Sequence, residues 1–114
     1  NKRSLGYMHI VERFPGMDVG NDDLNIINAL IKKWDGFYIA NGDYDVMKAK
    51  DAIKSGHADA VAFGRPFISN PDLPERLEKG AEFNEPDEDT FYGGGAEGYI
   101  DYPFLSDNKK TKAA

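Results

Sequence analysis

Cysteine is absent from all 114 residues, which excludes disulfides and any thiolate metal site. A cysteine-free chain fits a reducing compartment, and the cytoplasm is the expected location. Long apolar runs are missing as well: residues 60–63, among the longest, are far too short to span a bilayer. No apolar stretch of signal-peptide length follows the charged opening Asn1-Lys2-Arg3-Ser4. There is no initiator Met, as expected of a cleaved, split or excised product. Basic residues are the minority, 14 Lys and Arg against 20 Asp and Glu, for a net charge of -6. That balance argues against a general nucleic-acid or anionic-membrane surface. Histidine occurs only at His9 and His57, neither at ligand spacing from another metal-binding residue, so no metal is expected.

What is present suits one modest core, with 40% apolar residues. Tyr7-Met8-His9-Ile10-Val11 reads as a parallel strand buried on both faces. A Pro- and Gly-containing loop over residues 13–20 leads to a helix capped by Asn21 or Asp22. Leu24, Ile27, Ile31 and Trp34 form the apolar face of that helix. Gly36 ends it, and residues 37–40 are the next strand. Asp45 caps a second helix with Val46, Ala49 and Ile53 inward and Gly56 as its stop. Residues 60–63 make a third strand. Asn70 and Pro71 are expected to start a last helix, with Leu73 and Leu77 inward, an irregular first turn at Pro74, and Gly80 at its end.

The resulting β-α-β-α-β-α order predicts an α/β protein with a parallel sheet. The spacing of strand ends suits a (β/α)8 barrel, and a flavodoxin-like open sheet is the competitor. A whole barrel needs about 250 residues, so this chain cannot close one alone.

Two turns carry the chemistry. Gly42-Asp43 and Gly64-Arg65 end successive strands, and in barrels the turns after the last two strands recurrently hold a phosphate. The plain alternative is that both glycines permit tight turns and Arg65 is a surface residue. Asp43 can offer a phosphate only its amide, because its carboxylate would repel one. His9 reads as a packed strand residue and His57 as a surface residue. Glu85, Asp87, Glu88 and Asp89 read as a solvated turn, lacking the spacing of a calcium loop. Glu97 and Asp101 read as structural residues of the tail. Gly93-Gly94-Gly95 either lets the backbone pass something bulky or forms a mobile loop. Residues 109–114 read as a solvated, disordered terminus.

Ala60-Val61-Ala62-Phe63-Gly64-Arg65-Pro66-Phe67-Ile68, followed by Asp89-Thr90-Phe91-Tyr92-Gly93-Gly94-Gly95-Ala96-Glu97-Gly98-Tyr99-Ile100-Asp101-Tyr102-Pro103, resembles the C-terminal end of the old yellow enzyme family of FMN-dependent ene reductases. The resemblance runs from about Leu5 to Leu105. It implies the C-terminal (β/α) units of a TIM barrel over residues 1–105, an extended tail, and a disordered segment over 106–114. It also implies that Gly42, Asp43, Gly64 and Arg65 hold the FMN phosphate and that Phe91 packs by the flavin. Tyr92 would line the substrate pocket, although Phe91 and Tyr92 can equally be read as pinning the tail to the barrel. NADPH or NADH would reduce the flavin, and an enone would receive the hydride. The family's catalytic groups lie upstream of the matched region, so no catalytic residue is assigned here. The expected partner is the upstream part of the barrel or a second copy, with the chain alone inactive. The alternative function is a partial-barrel scaffold that binds no flavin.

Overall fold

The computed structural model describes residues 4–14, 16 and 20–107. Residues 1–3, 15, 17–19 and 108–114 lie outside it, and with the last of these most of the expected disordered end at 106–114, although residues 105–107 are helical. The chain forms two compact units, residues 1–63 and 64–114. No helix among the described residues is long and apolar enough to cross a membrane.

The first unit is a three-stranded parallel sheet in the order β1-β2-β3, formed by Tyr7–Val11, Phe37–Asn41 and Ala60–Ala62. Helices α1 (Asn21–Lys33) and α2 (Val46–Ser55) supply the crossovers that parallel neighbours require. The register aligns Met8 with Tyr38, and Ile10 with Ala40 and Val61. These residues share one face because side chains alternate along a strand. Tyr38, Ala40 and Ala58 are the buried centre of that face, packed by Ile31 and Trp34 from the α1 segment. The opposite face carries Tyr7, Val11 and Phe37, exposed by 62%, 39% and 48%. The expectation that β1 is buried on both faces is therefore corrected: Tyr7, His9 and Val11 on its second face are exposed.

The α1 face read from the sequence is the one half-buried: Leu24, Ile27, Ile31 and Trp34. Its N-cap is Gly20, without a side-chain cap, rather than Asn21 or Asp22. Asp45 caps α2 by accepting from the Lys48 amide, and Gly56 closes it in the left-handed conformation. Ala49 and Ala52 are the buried residues of α2, whereas Ile53 is exposed. Both buried positions carry only a methyl group, which lets a helix backbone approach its neighbour where a larger side chain would hold it away.

The second unit opens with α3 (Arg65–Ser69) and α4 (Leu73–Lys79), followed by an irregular tail with a 3-10 turn at Glu88–Thr90. Helix α4 starts after Asp72 rather than at Pro71, so Pro74 lies in the opening turn, where no amide partner is lost. Gly80 ends α4 as expected. Arg76 is 1% exposed, a burial the sequence did not announce. Its guanidinium donates to Asp72 at 2.6 Å, to the Glu82 carbonyl at 2.7 Å and to the Pro103 carbonyl at 2.9 Å. The other Asp72 oxygen accepts from the Leu105 amide at 2.6 Å. Asn84 donates to Ser69 O and Pro103 O, and its amide donates to Asn70 Oδ1. The tail is thus tied to the α3–α4 pair by a closed polar network.

Candidate functional site

Gly42 and Asp43 leave β2 as two consecutive residues at positive φ, 109° and 54°. For Gly42 the reason is steric as well as torsional: a Cβ there would lie 2.3 Å from the Arg13 carbonyl oxygen. Asp43 bears a side chain in the same left-handed region, an uncommon conformation for which Asp is better suited than most. Its carboxylate is drawn to Lys48 of α2, 3.6 Å away, and the Lys48 ammonium also donates to the Asp43 carbonyl at 3.2 Å. Lys48, which also lies 3.8 Å from the Asp45 carboxylate, therefore offsets part of the negative charge that argued against an anion at this turn. The sequence reading missed it, although its position in the first turn of α2 was visible.

An open cleft of about 620 Å³ lies beside this turn, lined by Glu12, Arg13, Gly42, Asp43, Lys48 and His57 among others. Glu12 organises its wall. Oε1 accepts from the Tyr38 hydroxyl at 2.5 Å and bonds His57 Nε2 at 2.8 Å, while Oε2 accepts from the Tyr44 hydroxyl at 2.6 Å. Partial burial would raise the pKa of Glu12, but these hydrogen bonds outweigh it and hold the carboxyl below its usual range. Burial and the adjoining carboxylate push both tyrosines above the ordinary phenol value. His57 is half-buried, edge-on to Tyr38 with ring centroids 5.9 Å apart, so its reading as a surface residue is corrected. His9 is exposed beside Asn41, at 3.1 Å, and is not a packed core residue.

Gly64 presents the opposite case to Gly42. Its φ is -93°, and a Cβ added there would meet nothing within 4 Å. No described neighbour requires a glycine at this position, and the bare backbone is open to a close-approaching group. Arg65 follows it, about half exposed, with one guanidinium nitrogen 3.4 Å from Glu88 Oε1. Glu88 sits in the 3-10 turn, whose start is fixed by the Asp87 carboxylate accepting from the Asp89 amide and by the Asp87 amide donating to Tyr102 Oη.

Phe91 is half-buried and Tyr92 fully exposed. The close-approach glycine of the tail is Gly98, at φ 69°, where a Cβ would fall 1.8 Å from Thr90 Oγ1. By contrast, Gly94 has open space. Asp101 accepts from the Gly98 amide, the structural role expected of it. Among the described residues no group of three or more His, Asp or Glu side chains is placed to hold a metal ion.

Parallel strands joined by helices, with glycine-bearing turns after β2 and β3, are shared by (β/α) barrels and open parallel sheets, and likeness to solved structures decides between them. Residues 2–84 match the model of the NADH:flavin oxidoreductase / NADH oxidase family, and the chain belongs to that family. It is 41% identical over 113 residues to putative 12-oxophytodienoate reductase 3 of Oryza sativa subsp. japonica, covering 96% of this chain and 29% of the relative. The structure of the old yellow enzyme from Trypanosoma cruzi superposes with a TM-score of 0.78 at 37% identity, covering 90% of this chain and 26% of that one. A structure of morphinone reductase in complex with tetrahydroNAD gives 0.71 at 44% identity, with 91% and 27% covered. The fold is accordingly that of (β/α) units of a TIM barrel. The chain spans less than a third of the length of these relatives.

Proposed function

We propose that this chain is the FMN-phosphate-binding segment of a flavin-dependent NAD(P)H oxidoreductase that reduces activated alkenes such as enones. The observation that carries the reading is Gly64, a glycine with open space around it followed directly by an exposed arginine. A phosphate oxygen can approach a bare backbone there, while the guanidinium supplies a charge-assisted, geometrically specific partner. Gly42 and Asp43 would contribute backbone amides, with Lys48 offsetting the Asp43 carboxylate. Phe91 would pack by the flavin and Tyr92 would line the substrate pocket once the rest of a barrel covers it. Bound FMN supplies hydride transfer from a nicotinamide, NADPH or NADH, to the alkene; this chain's residues supply binding and position. The preceding units of a barrel are the proposed partner, and the cytoplasm the proposed compartment.

Comparing FMN with riboflavin, which lacks the phosphate, tests this reading. Arg65→Ala is expected to weaken FMN binding by roughly 10- to 100-fold, the scale of a hydrogen bond to a charged group. Riboflavin binding should be unchanged. Equal FMN affinity in parent and variant removes Arg65 from the site. A second variant tests the tail. Tyr92→Phe deletes one hydroxyl from a fully exposed ring, so thermal unfolding should move by no more than about 0.5 kcal/mol. In an assembled barrel the KM for enones should rise with flavin content unchanged. Unaltered kinetics across several enones would take Tyr92 out of the substrate pocket.

A further inference from the structure

Glu12 is bonded to the residues on either side of the Gly42–Asp43 turn. Its amide donates to the Asn41 carbonyl at 2.8 Å, and its Oε2 accepts from the Tyr44 hydroxyl at 2.6 Å. Those two bonds bracket a pair of left-handed residues, one of which carries a side chain and is intrinsically disfavoured there. Such a conformation persists when its surroundings fix it from outside. The Arg13 backbone closes against Gly42 from the same segment, within the distance a Cβ would occupy. Oε1 has two partners, Tyr38 and His57 at 2.5 and 2.8 Å, so His57 still anchors the carboxylate when the Tyr38 hydroxyl is removed.

We propose that Glu12 is the positioning residue of the phosphate turn, holding the Gly42 and Asp43 amides in place through Tyr44 and Asn41 without touching the ligand. This rests on the phosphate reading of that turn. A purely structural role for Glu12 predicts that losing either tyrosine hydroxyl has the same kind of effect. A positioning role separates them, because only the Tyr44 bond brackets the turn.

The test titrates FMN and riboflavin by flavin fluorescence anisotropy against the chain assembled with the preceding units of a related barrel, in the parent, Tyr44→Phe, Tyr38→Phe and Glu12→Ala. Tyr44→Phe and Glu12→Ala should lower the ratio of FMN to riboflavin affinity about tenfold or more, on the scale of one lost hydrogen bond to a charged group. Tyr38→Phe should lower the unfolding midpoint while keeping that ratio. Should Glu12→Ala fail to fold, the two Tyr→Phe variants decide the matter, since each removes a single hydroxyl. A parent that prefers FMN, with Tyr44→Phe keeping the preference or Tyr38→Phe losing it equally, overturns the positioning role alone. A parent that binds both flavins alike, or neither, overturns the phosphate site and this proposal with it.

Discussion

Arg76→Met is expected to cost about 3–5 kcal/mol of folding stability, the scale of breaking a buried ion pair by removing one partner. The substitution keeps much of the side chain's length but strands the Asp72 carboxylate, which is 9% exposed. It also leaves the Glu82 and Pro103 carbonyls without the donors they have now. Chemical denaturation measures the loss, and Lys79→Met is the control: that lysine pairs with Glu75 at the surface and should leave the midpoint unchanged. Acid should reproduce part of the effect. Burial alone would raise the Asp72 pKa, but the Leu105 amide and Arg76 outweigh it and hold the carboxyl below its ordinary value. A depressed folded-state pKa favours the fold when the group is ionised. Its contribution is complete above the unfolded carboxylate value of about 4 and is lost as pH falls through the lower folded value. Glu12, shifted in the same direction, adds to the same acid limb. A midpoint for Arg76→Met within 1 kcal/mol of the parent would mean that the network does not hold the tail.

The sequence announced what local chemistry controls. Asp45 caps α2 because a carboxylate three residues before an amide can accept from it, and Gly56 and Gly80 end helices because they tolerate positive φ. The α1 face was legible because burial there follows the helical period. Ile53 was misplaced because apolarity alone does not distinguish it from Ala52, which sits at a close helix contact. Less legible still were the groups joined over long separations. Glu12 meets partners 26, 32 and 45 positions away, and Arg76 reaches Pro103 across 27. No spacing rule links such residues, so the hub of the first unit and the anchor of the second both passed as ordinary charged positions. The Gly64-Arg65 signal was visible because a bare backbone beside a cation is a local pattern. Its surface pairing with Glu88 was not, since those residues lie 23 positions apart in the chain.

The chain by itself should self-associate, and it should show no turnover of an enone with NADPH. Among the described residues its sheet has two outer strands, β1 and β3, each with an edge that no other described strand pairs and that invites another strand. The register stacks Tyr7 against Phe37 on the exposed face, so these two exposed aromatic side chains are neighbours, whereas Val11 stands opposite Asn41 with His9 between. Two exposed aromatics side by side on a sheet face are a surface suited to being covered. In relatives more than three times as long, further (β/α) units are available to cover it; here a second copy is the nearest source of apolar surface. Light scattering coupled to size-exclusion chromatography should therefore give a mass above 12.7 kDa that rises with concentration. Lys substituted at Tyr7 and at Phe37 should shift it back toward the monomer by placing charge on the patch. Flavin retained through purification should be negligible, because phosphate contacts alone leave the isoalloxazine ring ungripped. Adding the preceding units of a related barrel as a separate chain should then restore yellow colour and suppress self-association together, since one surface serves both. A monodisperse yellow monomer that reduces an enone unaided would show that these three strands need no opposing wall.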